Sequence, residues 1–120
     1  MPKRNDALRK NLSQSTELNI TVTGRRSGRK ISIPVWFVLE GDKLYLLPVK
    51  GSDSQWYKNV LSHPTIRIDA GSAEAELKAI PITELSQVSS VVERFRGKYG
   101  RNDVKKYYSK FDVAVVAEML

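Results

Sequence analysis

Residues 18–39 read LNITVTGRRSGRKISIPVWFVL, and this stretch decides the fold. Leu18, Ile20 and Val22 alternate with polar residues on one side of the glycines, and apolar residues alternate again from Ile31 to Leu39 on the other. A period of two is typical of half-buried β-strands, and a glycine-bounded segment between two such runs indicates a chain reversal. The stretch therefore predicts a β-hairpin.

The hairpin tip, residues 24–30, is strongly basic. Four of its seven residues are cationic, and they are Arg25, Arg26, Arg29 and Lys30. Gly24 and Gly28 can both adopt positive φ, which favours a tight reversal and a close backbone approach to a ligand. Guanidinium groups suit phosphate and carboxylate groups. The tip is thus a candidate anion site, and the alternative is a charged turn that is simply solvated.

Length and composition place limits on the architecture. A chain of 120 residues with 41% hydrophobic content fits one compact domain over residues 1–120. The absence of cysteine excludes disulfides, thiolate metal sites and cysteine nucleophiles, and a single histidine disfavours most metal and triad chemistry, so no metal site is expected.

Charge and hydropathy indicate the environment and the kind of partner. No apolar run is long enough for a transmembrane segment, and the polar start lacks the apolar core of a signal peptide, so a cytoplasmic protein is expected. The formal charge of +7 favours an anionic partner, such as a phosphorylated small molecule, nucleic acid or an anionic membrane.

Along the rest of the chain, residues 1–16 read as an N-terminal arm or short helix, and further strands are predicted near residues 43–49, 64–69, 73–82 and 111–119. Helices are predicted over 55–62, from 83 to Gly100, and shortly after Asn102. About six antiparallel strands with inserted helices predict an α+β barrel rather than a doubly wound sheet.

A second candidate anion site lies where the helix at residue 55 begins. Ser52, Asp53 and Ser54 are good N-cap residues, and Lys50 adds a cation beside the free amides of the first turn.

Six short motifs in this order resemble the deazaflavin-dependent nitroreductase family. They are TGRRSG at 23–28, PVWF at 34–37, GDKLY at 41–45, KG at 50–51, WYKNV at 56–60 and HP at 63–64. That family belongs to the flavin and deazaflavin oxidoreductases with a split β-barrel fold, similar to the FMN-binding split barrels of pyridoxamine-phosphate oxidases. The resemblance therefore implies that fold for this chain.

The resemblance also implies the site residues. Arg25, Arg26, Arg29 and Lys30 would hold the phosphate and acidic tail of coenzyme F420. The ring pocket would be formed by Pro34, Val35, Trp36, Lys50, Gly51, Ser52, Trp56 and Tyr57. Tyr107 and Tyr108 match an aromatic region that borders the substrate, so that Lys50, Tyr107 and Tyr108 are the candidate catalytic residues.

The function that the resemblance implies is hydride transfer from the reduced cofactor to a quinone, nitro or other activated acceptor. A polyanionic redox cofactor also accounts for the basic tip and for the absence of an acid, base or nucleophile constellation. FMN in place of F420, a cofactor-binding protein without turnover, and a nucleic-acid-binding β-barrel remain alternatives. A second copy of the chain is a further candidate partner.

Overall fold

The computed structural model describes residues 6–71 and 73–119, which form eight strands and four α-helices. The strands are β1 (Leu18–Thr23), β2 (Lys30–Val35), β3 (Phe37–Glu40), β4 (Lys43–Leu46), β5 (Thr65–Ala70), β6 (Ala73–Lys78), β7 (Ile80–Ile82) and β8 (Ala114–Glu118). The helices are α1 (Asp6–Ser13), α2 (Gln55–Ser62), α3 (Leu85–Tyr99) and α4 (Arg101–Tyr107). The predicted N-terminal arm contains α1, and its residues 1–5 lie outside the described residues.

Two antiparallel sheets of four strands build the barrel, in the orders β2-β1-β5-β6 and β3-β4-β8-β7. The edge strands of the first sheet continue directly into the edge strands of the second. Only Trp36 separates β2 from β3, and only Ala79 separates β6 from β7. Strands that pass from one sheet to the other at such corners join the two sheets at both edges.

The α+β class and the antiparallel strands are confirmed, with one refinement. The two long strands predicted over residues 31–39 and 73–82 each divide into two at the corners. An alternating pattern continues across such a corner because both sheets face the same core, so the sequence pattern does not reveal the break.

The main core lies between the sheets. Its fully buried side chains include Ile20 and Ile68 from the first sheet and Phe37, Leu44 and Leu46 from the second. Burial of a side chain of this size contributes about 1.5–3 kcal/mol. The packing of α1 and the two sheets therefore holds the hairpin arms in fixed positions.

Arg9 ties α1 to the turn between β3 and β4. Its guanidinium donates to the Gly41 carbonyl at 2.8 Å and to the Met119 carbonyl at 2.8 Å, and it forms an ion pair with Asp42. This arginine is therefore a structural residue that fixes α1 against the second sheet.

A second, smaller core covers the outer face of the second sheet. α3 and α4 contribute Val88, Val92, Phe95 and Val104, and Tyr108 follows α4 into the same cluster. This helical layer places Tyr99, Tyr107 and Tyr108 beside the corner at Trp36. No described helix has the length and apolar character required to cross a membrane.

Candidate functional site

A groove runs along β2 and the segment that follows β4. It consists of two adjoining cavities of about 370 Å³ and 350 Å³ that share four wall residues, Pro34, Val35, Val49 and Trp56. The first cavity, here called the aromatic half, is also lined by Glu17, Trp36, Leu47, Tyr107 and Tyr108. The second cavity, the polar half, is also lined by Ile33, Lys50, Asp53, Ser54 and Gln55. Volumes of this size are typical of small-molecule sites, which start near about 300 Å³.

Trp36 is fixed within the aromatic half by three tyrosines. Its ring stacks on Tyr99 with centroids 4.1 Å apart and planes 8° apart. Tyr107 meets it edge-on at 5.5 Å, and Tyr108 lies tilted at 5.9 Å. Offset and edge-to-face pairs are the favoured aromatic arrangements, so the indole orientation is determined before any ligand binds.

Tyr99 also holds the barrel corner. Its hydroxyl accepts a hydrogen bond from the Phe37 amide at 3.1 Å and lies within donating distance of the carbonyls of Phe37 and Thr16, at 2.9 Å and 2.7 Å. The corner at Trp36 is thus fixed by the ring and the hydroxyl of one side chain.

Burial raises the pKa of two of these phenols above the ordinary value. It raises the pKa of Tyr99 to about 12, a rise opposed by the hydrogen bond to Phe37 and increased by the charge of Glu17. Burial, together with the nearby Tyr99, raises the pKa of Tyr108 well above its ordinary value. Both hydroxyls therefore act as neutral hydrogen-bonding groups at physiological pH.

The polar half is built on the turn at residues 50–54, here called the 50–54 turn. Gly51 has φ of +54°, a conformation that favours glycine, and the Lys50 amide donates to Ser54 Oγ at 2.9 Å. Asp112 braces the turn from 60 residues away: its carboxylate accepts from the Ser52 amide at 2.9 Å and from the Ser52 hydroxyl at 2.5 Å. These two hydrogen bonds to Asp112 fix the backbone from which the Lys50 side chain projects.

The charge of Asp112 is maintained by these contacts. Partial desolvation opposes ionisation, but the hydrogen bonds from Ser52 and the charge of Lys110 together lower the pKa of Asp112. Lys110 lies 3.6 Å from Asp112 and 3.2 Å from Asp53. The carboxylate of Asp53 at the groove wall is therefore paired with Lys110.

Three of the predicted ring-pocket residues lie behind the groove wall. Gly51 is buried, Ser52 donates to Asp112, and neither of these two residues lines either cavity. Tyr57 is 3% exposed and belongs to the core between the sheets, where burial and the nearby Asp112 raise its pKa. The remaining predicted ring-pocket residues, Pro34, Val35, Trp36, Lys50 and Trp56, line the groove, as do Tyr107 and Tyr108.

Of the four tip cations, none of which is among the lining residues of the two cavities, Arg25 is connected to the groove through a wall residue. Its guanidinium donates to Asn59 Oδ1 and to Gln55 Oε1, both at 2.8 Å, and Gln55 lines the polar half. Arg25 is half-buried against α2, whereas Arg26 and Arg29 are exposed, and their side chains form no hydrogen bond or ion pair among the described residues. Lys30 donates to Thr23 Oγ1 at 2.8 Å. The tip is thus connected to the polar end of the groove through Arg25 and Gln55.

The two tip glycines differ in their roles. Gly28 has φ of +71°, as predicted, whereas Gly24 does not adopt a positive φ. At Gly24 an added Cβ would lie 2.8 Å from Ser27 Oγ, so the exposed Ser27 side chain would have to move. The positive φ that the sequence allows at both glycines is adopted at Gly28 alone of the two.

Several wall residues were not singled out by the sequence analysis. Glu17, Leu47, Val49 and Gln55 carry no motif, and Asp112 is remote in sequence from the turn that it braces. The N-cap pattern at residues 52–54 correctly indicated a helix start, with Ser54 at the N-cap position of α2, but the Ser54 side chain makes no capping hydrogen bond, and the anion site at this helix start stays a prediction.

Comparisons with known proteins agree with this architecture. A family model described as "Uncharacterized protein conserved in bacteria (DUF2255)" matches residues 9–117. None of the curated proteins that were compared matches the sequence.

Among solved structures, the F420-H2 dependent reductase FDR-A is similar with a TM-score of 0.67 and 21% identity, over 86% of this chain and 94% of that chain. The heme storage protein HutZ from Vibrio cholerae is similar with a TM-score of 0.70 and 12% identity, over 98% and 90% of the two chains. A Listeria innocua protein provisionally assigned as a pyridoxamine 5'-phosphate oxidase gives a TM-score of 0.69 and 14% identity, over 97% and 92%. These likenesses confirm the predicted split β-barrel fold.

Proposed function

This chain belongs to the DUF2255 family of bacterial proteins, and we propose that it is a deazaflavin-dependent reductase that passes hydride from reduced F420 to a small activated acceptor. The observation that carries the proposal is the continuous groove. Its polar half ends one side chain away from the basic hairpin tip, and its aromatic half has room for a second molecule.

The residues of the groove fit such a cofactor. A flat ring system suits walls formed by Pro34, Val35, Val49 and Trp56, which are shared by both cavities. Lys50 and Gln55 offer donors for polar ring atoms, and Arg25 is already oriented toward this end by Gln55 and Asn59. Arg26, Arg29 and Lys30 would hold the acidic tail beyond it.

The extent of the tip favours F420 over FMN. FMN carries a single phosphate, for which Arg25 and Lys50 would suffice. Arg26 and Arg29 are exposed on the outer part of the tip, and a long polyanionic tail is the kind of ligand that would use them.

A haem of the kind stored by HutZ is less well suited to this chain. The one histidine, His63, is exposed at the C-terminal end of α2 and lines neither half of the groove, so it is not placed to serve as an axial ligand.

When bound in its reduced state, F420 supplies the hydride, and the protein supplies position and electrostatics. Trp36 and the buried Tyr108 would wall the acceptor and limit its exposure to water. Tyr107, which is 52% exposed at the rim, could exchange a proton with solvent while its hydroxyl faces the acceptor. Lys50 would stabilise negative charge that develops at the polar end.

The proposal is tested by titrating the protein with F420 and, separately, with FMN, followed by cofactor fluorescence. We expect saturable F420 binding that is weakened at least about tenfold by Arg25→Ala combined with Arg29→Ala, because charge-assisted contacts are lost. The matched control is Lys78→Ala combined with Lys105→Ala, which removes two exposed cations on β6 and α4 and should leave the affinity unchanged.

Turnover is measured as oxidation of reduced F420 by quinone and nitroaromatic acceptors. Lys50→Ala should lower the rate more than it lowers stability, because the Lys50 side chain forms no hydrogen bond or ion pair among the described residues. Tight FMN binding without F420 binding would overturn the choice of cofactor. F420 binding without turnover would instead favour a cofactor-binding protein, and salt-dependent oligonucleotide binding alone would favour a nucleic-acid-binding barrel.

A further inference from the structure

The aromatic half has the composition of a cation site. Four of its lining residues are Trp36, Trp56, Tyr107 and Tyr108, and Glu17 is the one charged residue in its lining. Aromatic faces attract cations through the ring quadrupole, and cages of several rings are a recurrent means of binding quaternary ammonium groups. A carboxylate at the edge of such a cage adds a direct Coulomb attraction.

Glu17 is available to a ligand. It is exposed at the junction between α1 and β1, and no ion pair of the described residues includes it. Its negative charge reaches into the aromatic cluster, since it adds to the burial that raises the pKa of Tyr99. Asp53, the acidic residue that lines the polar half, is instead paired with Lys110 at 3.2 Å.

The groove is therefore electrically polarised along its length. Lys50 and Arg25 lie at the polar end, and Glu17 lies at the aromatic end. A bound polyanion at the polar end would add negative charge to the groove, which further favours a cation beside it.

We propose that the aromatic half binds an organic cation, with a quaternary ammonium group held against Trp36, Tyr107 and Glu17. Glu17 is then the residue that selects the acceptor by charge. Calling this cation the acceptor rests on the proposed function, whereas its binding does not. An acceptor of this class presents its positive group to the cage and its reducible part to the shared wall at Val35 and Trp56.

One native cation lies close enough to compete. The ammonium of Lys106 is 5.4 Å from the centre of the Tyr107 ring, although Lys106 does not line the cavity. Its charge should weaken the binding of a second cation at the same ring. A variant that removes this charge should therefore strengthen cation binding.

The test uses intrinsic fluorescence, because both tryptophans of the chain line the aromatic half. The protein without cofactor is titrated with benzyltrimethylammonium and with neopentylbenzene, its neutral carbon isostere. We expect the cation to bind at least about fivefold more tightly than the isostere, which corresponds to the size of a partly exposed cation–π and carboxylate contact.

Three variants separate charge from packing. Glu17→Gln should weaken cation binding about fivefold to tenfold and leave the neutral isostere unchanged, since it keeps the size of the side chain. Glu76→Gln removes another exposed carboxylate, on β6, and should leave the binding of both the cation and the isostere unchanged. Lys106→Gln should strengthen cation binding about twofold, and added salt should weaken it.

Equal binding of the cation and its isostere, or unchanged cation binding in Glu17→Gln, would overturn the inference. A failure of this inference can be distinguished from a failure of the proposed function. Failure of the cation to bind while F420 still binds at the polar half overturns only this inference, whereas cation binding without F420 binding overturns the cofactor and leaves the cation site in place.

Discussion

The hairpin tip and the 50–54 turn are both glycine-containing reversals beside the same groove, yet they are held very differently. The tip carries four cations, and its backbone is closed by its own hydrogen bonds, from Gly24 N to Arg29 O at 2.8 Å and from Gly28 N to Gly24 O at 2.9 Å. The 50–54 turn carries one cation and is held by Asp112, 60 residues away from Ser52.

The difference teaches that charge density and preorganisation are separate properties. Arg26 and Arg29 extend into solvent, so they can follow a long, flexible anion but cannot fix its position. Lys50 projects from a backbone whose conformation is determined by Gly51, Ser52 and Asp112, so the backbone of this turn is held in place beside the groove although the exposed Lys50 ammonium is free to move. A rigid ring needs the second kind of support, and an acidic tail needs only the first.

The sharpest comparison is the same substitution in both turns. Gly51→Ala should lower the free energy of unfolding by about 3 kcal/mol, because positive φ is unfavourable for alanine and the new Cβ would overlap the Asp112 carboxylate. Gly28→Ala shares the positive φ but has nothing within 4 Å of the new Cβ, so we expect a loss of about 1 kcal/mol. Urea unfolding of both variants measures the difference, and equal losses would show that Asp112 does not constrain the turn.

The next effect concerns the brace itself. Asp112→Asn should destabilise the protein by about 1–2 kcal/mol at neutral pH, because Ser52 loses an ionised acceptor for two hydrogen bonds. It should also weaken F420 binding, if the proposed function holds, through displacement of Lys50. Glu118→Gln, which removes an exposed carboxylate on β8, serves as the control.

The brace predicts a dependence of stability on pH. The folded-state pKa of Asp112 is lowered, against partial desolvation, by Ser52 and Lys110, so its contribution is present above the unfolded pKa and is lost as the pH falls through the folded pKa. The free energy of unfolding of the native chain, measured in urea, should therefore decrease at acidic pH. This decrease should be smaller in Asp112→Asn. A parallel pH profile in the two proteins would contradict the assignment.

The smallest expected effect distinguishes two arginines of the tip. Arg25→Ala should lower the free energy of unfolding by about 1 kcal/mol, because Arg25 donates to the buried Asn59 and to Gln55. Arg29→Ala should change the free energy of unfolding by less than about 0.5 kcal/mol, as is usual for an exposed side chain. If both variants were equally stable, Arg25 would be as loosely held as Arg29, and the distinction within the tip would disappear.

Much of the fold could be predicted from local patterns. Alternation predicted the hairpin, and apolar spacing predicted α2 and α3 close to their observed bounds. Alternation could not predict the corners at Trp36 and Ala79. The side chains on either side of each corner face the same core, whereas the strand's hydrogen-bonding partner changes from one sheet to the other.

The candidate site was predictable in part for the same reason. Pro34 and Val35 on β2, and Trp36 at the corner that follows it, were predicted through the motifs of the resemblance and do line the groove. Glu17 and Asp112 could not be assigned, because nothing near them in sequence indicates which distant residue they approach.

The sequence by itself determined the antiparallel α+β class, the basic hairpin tip and the bounds of α2, since strand alternation, glycine and helical apolar spacing act over only a few residues. The tertiary structure alone decided that Arg25 contacts a wall residue of the groove, that Asp112 holds the 50–54 turn and that Glu17 remains open to a ligand. Those outcomes depend on side chains that meet across the barrel, where the position of each partner is fixed by packing of the whole core.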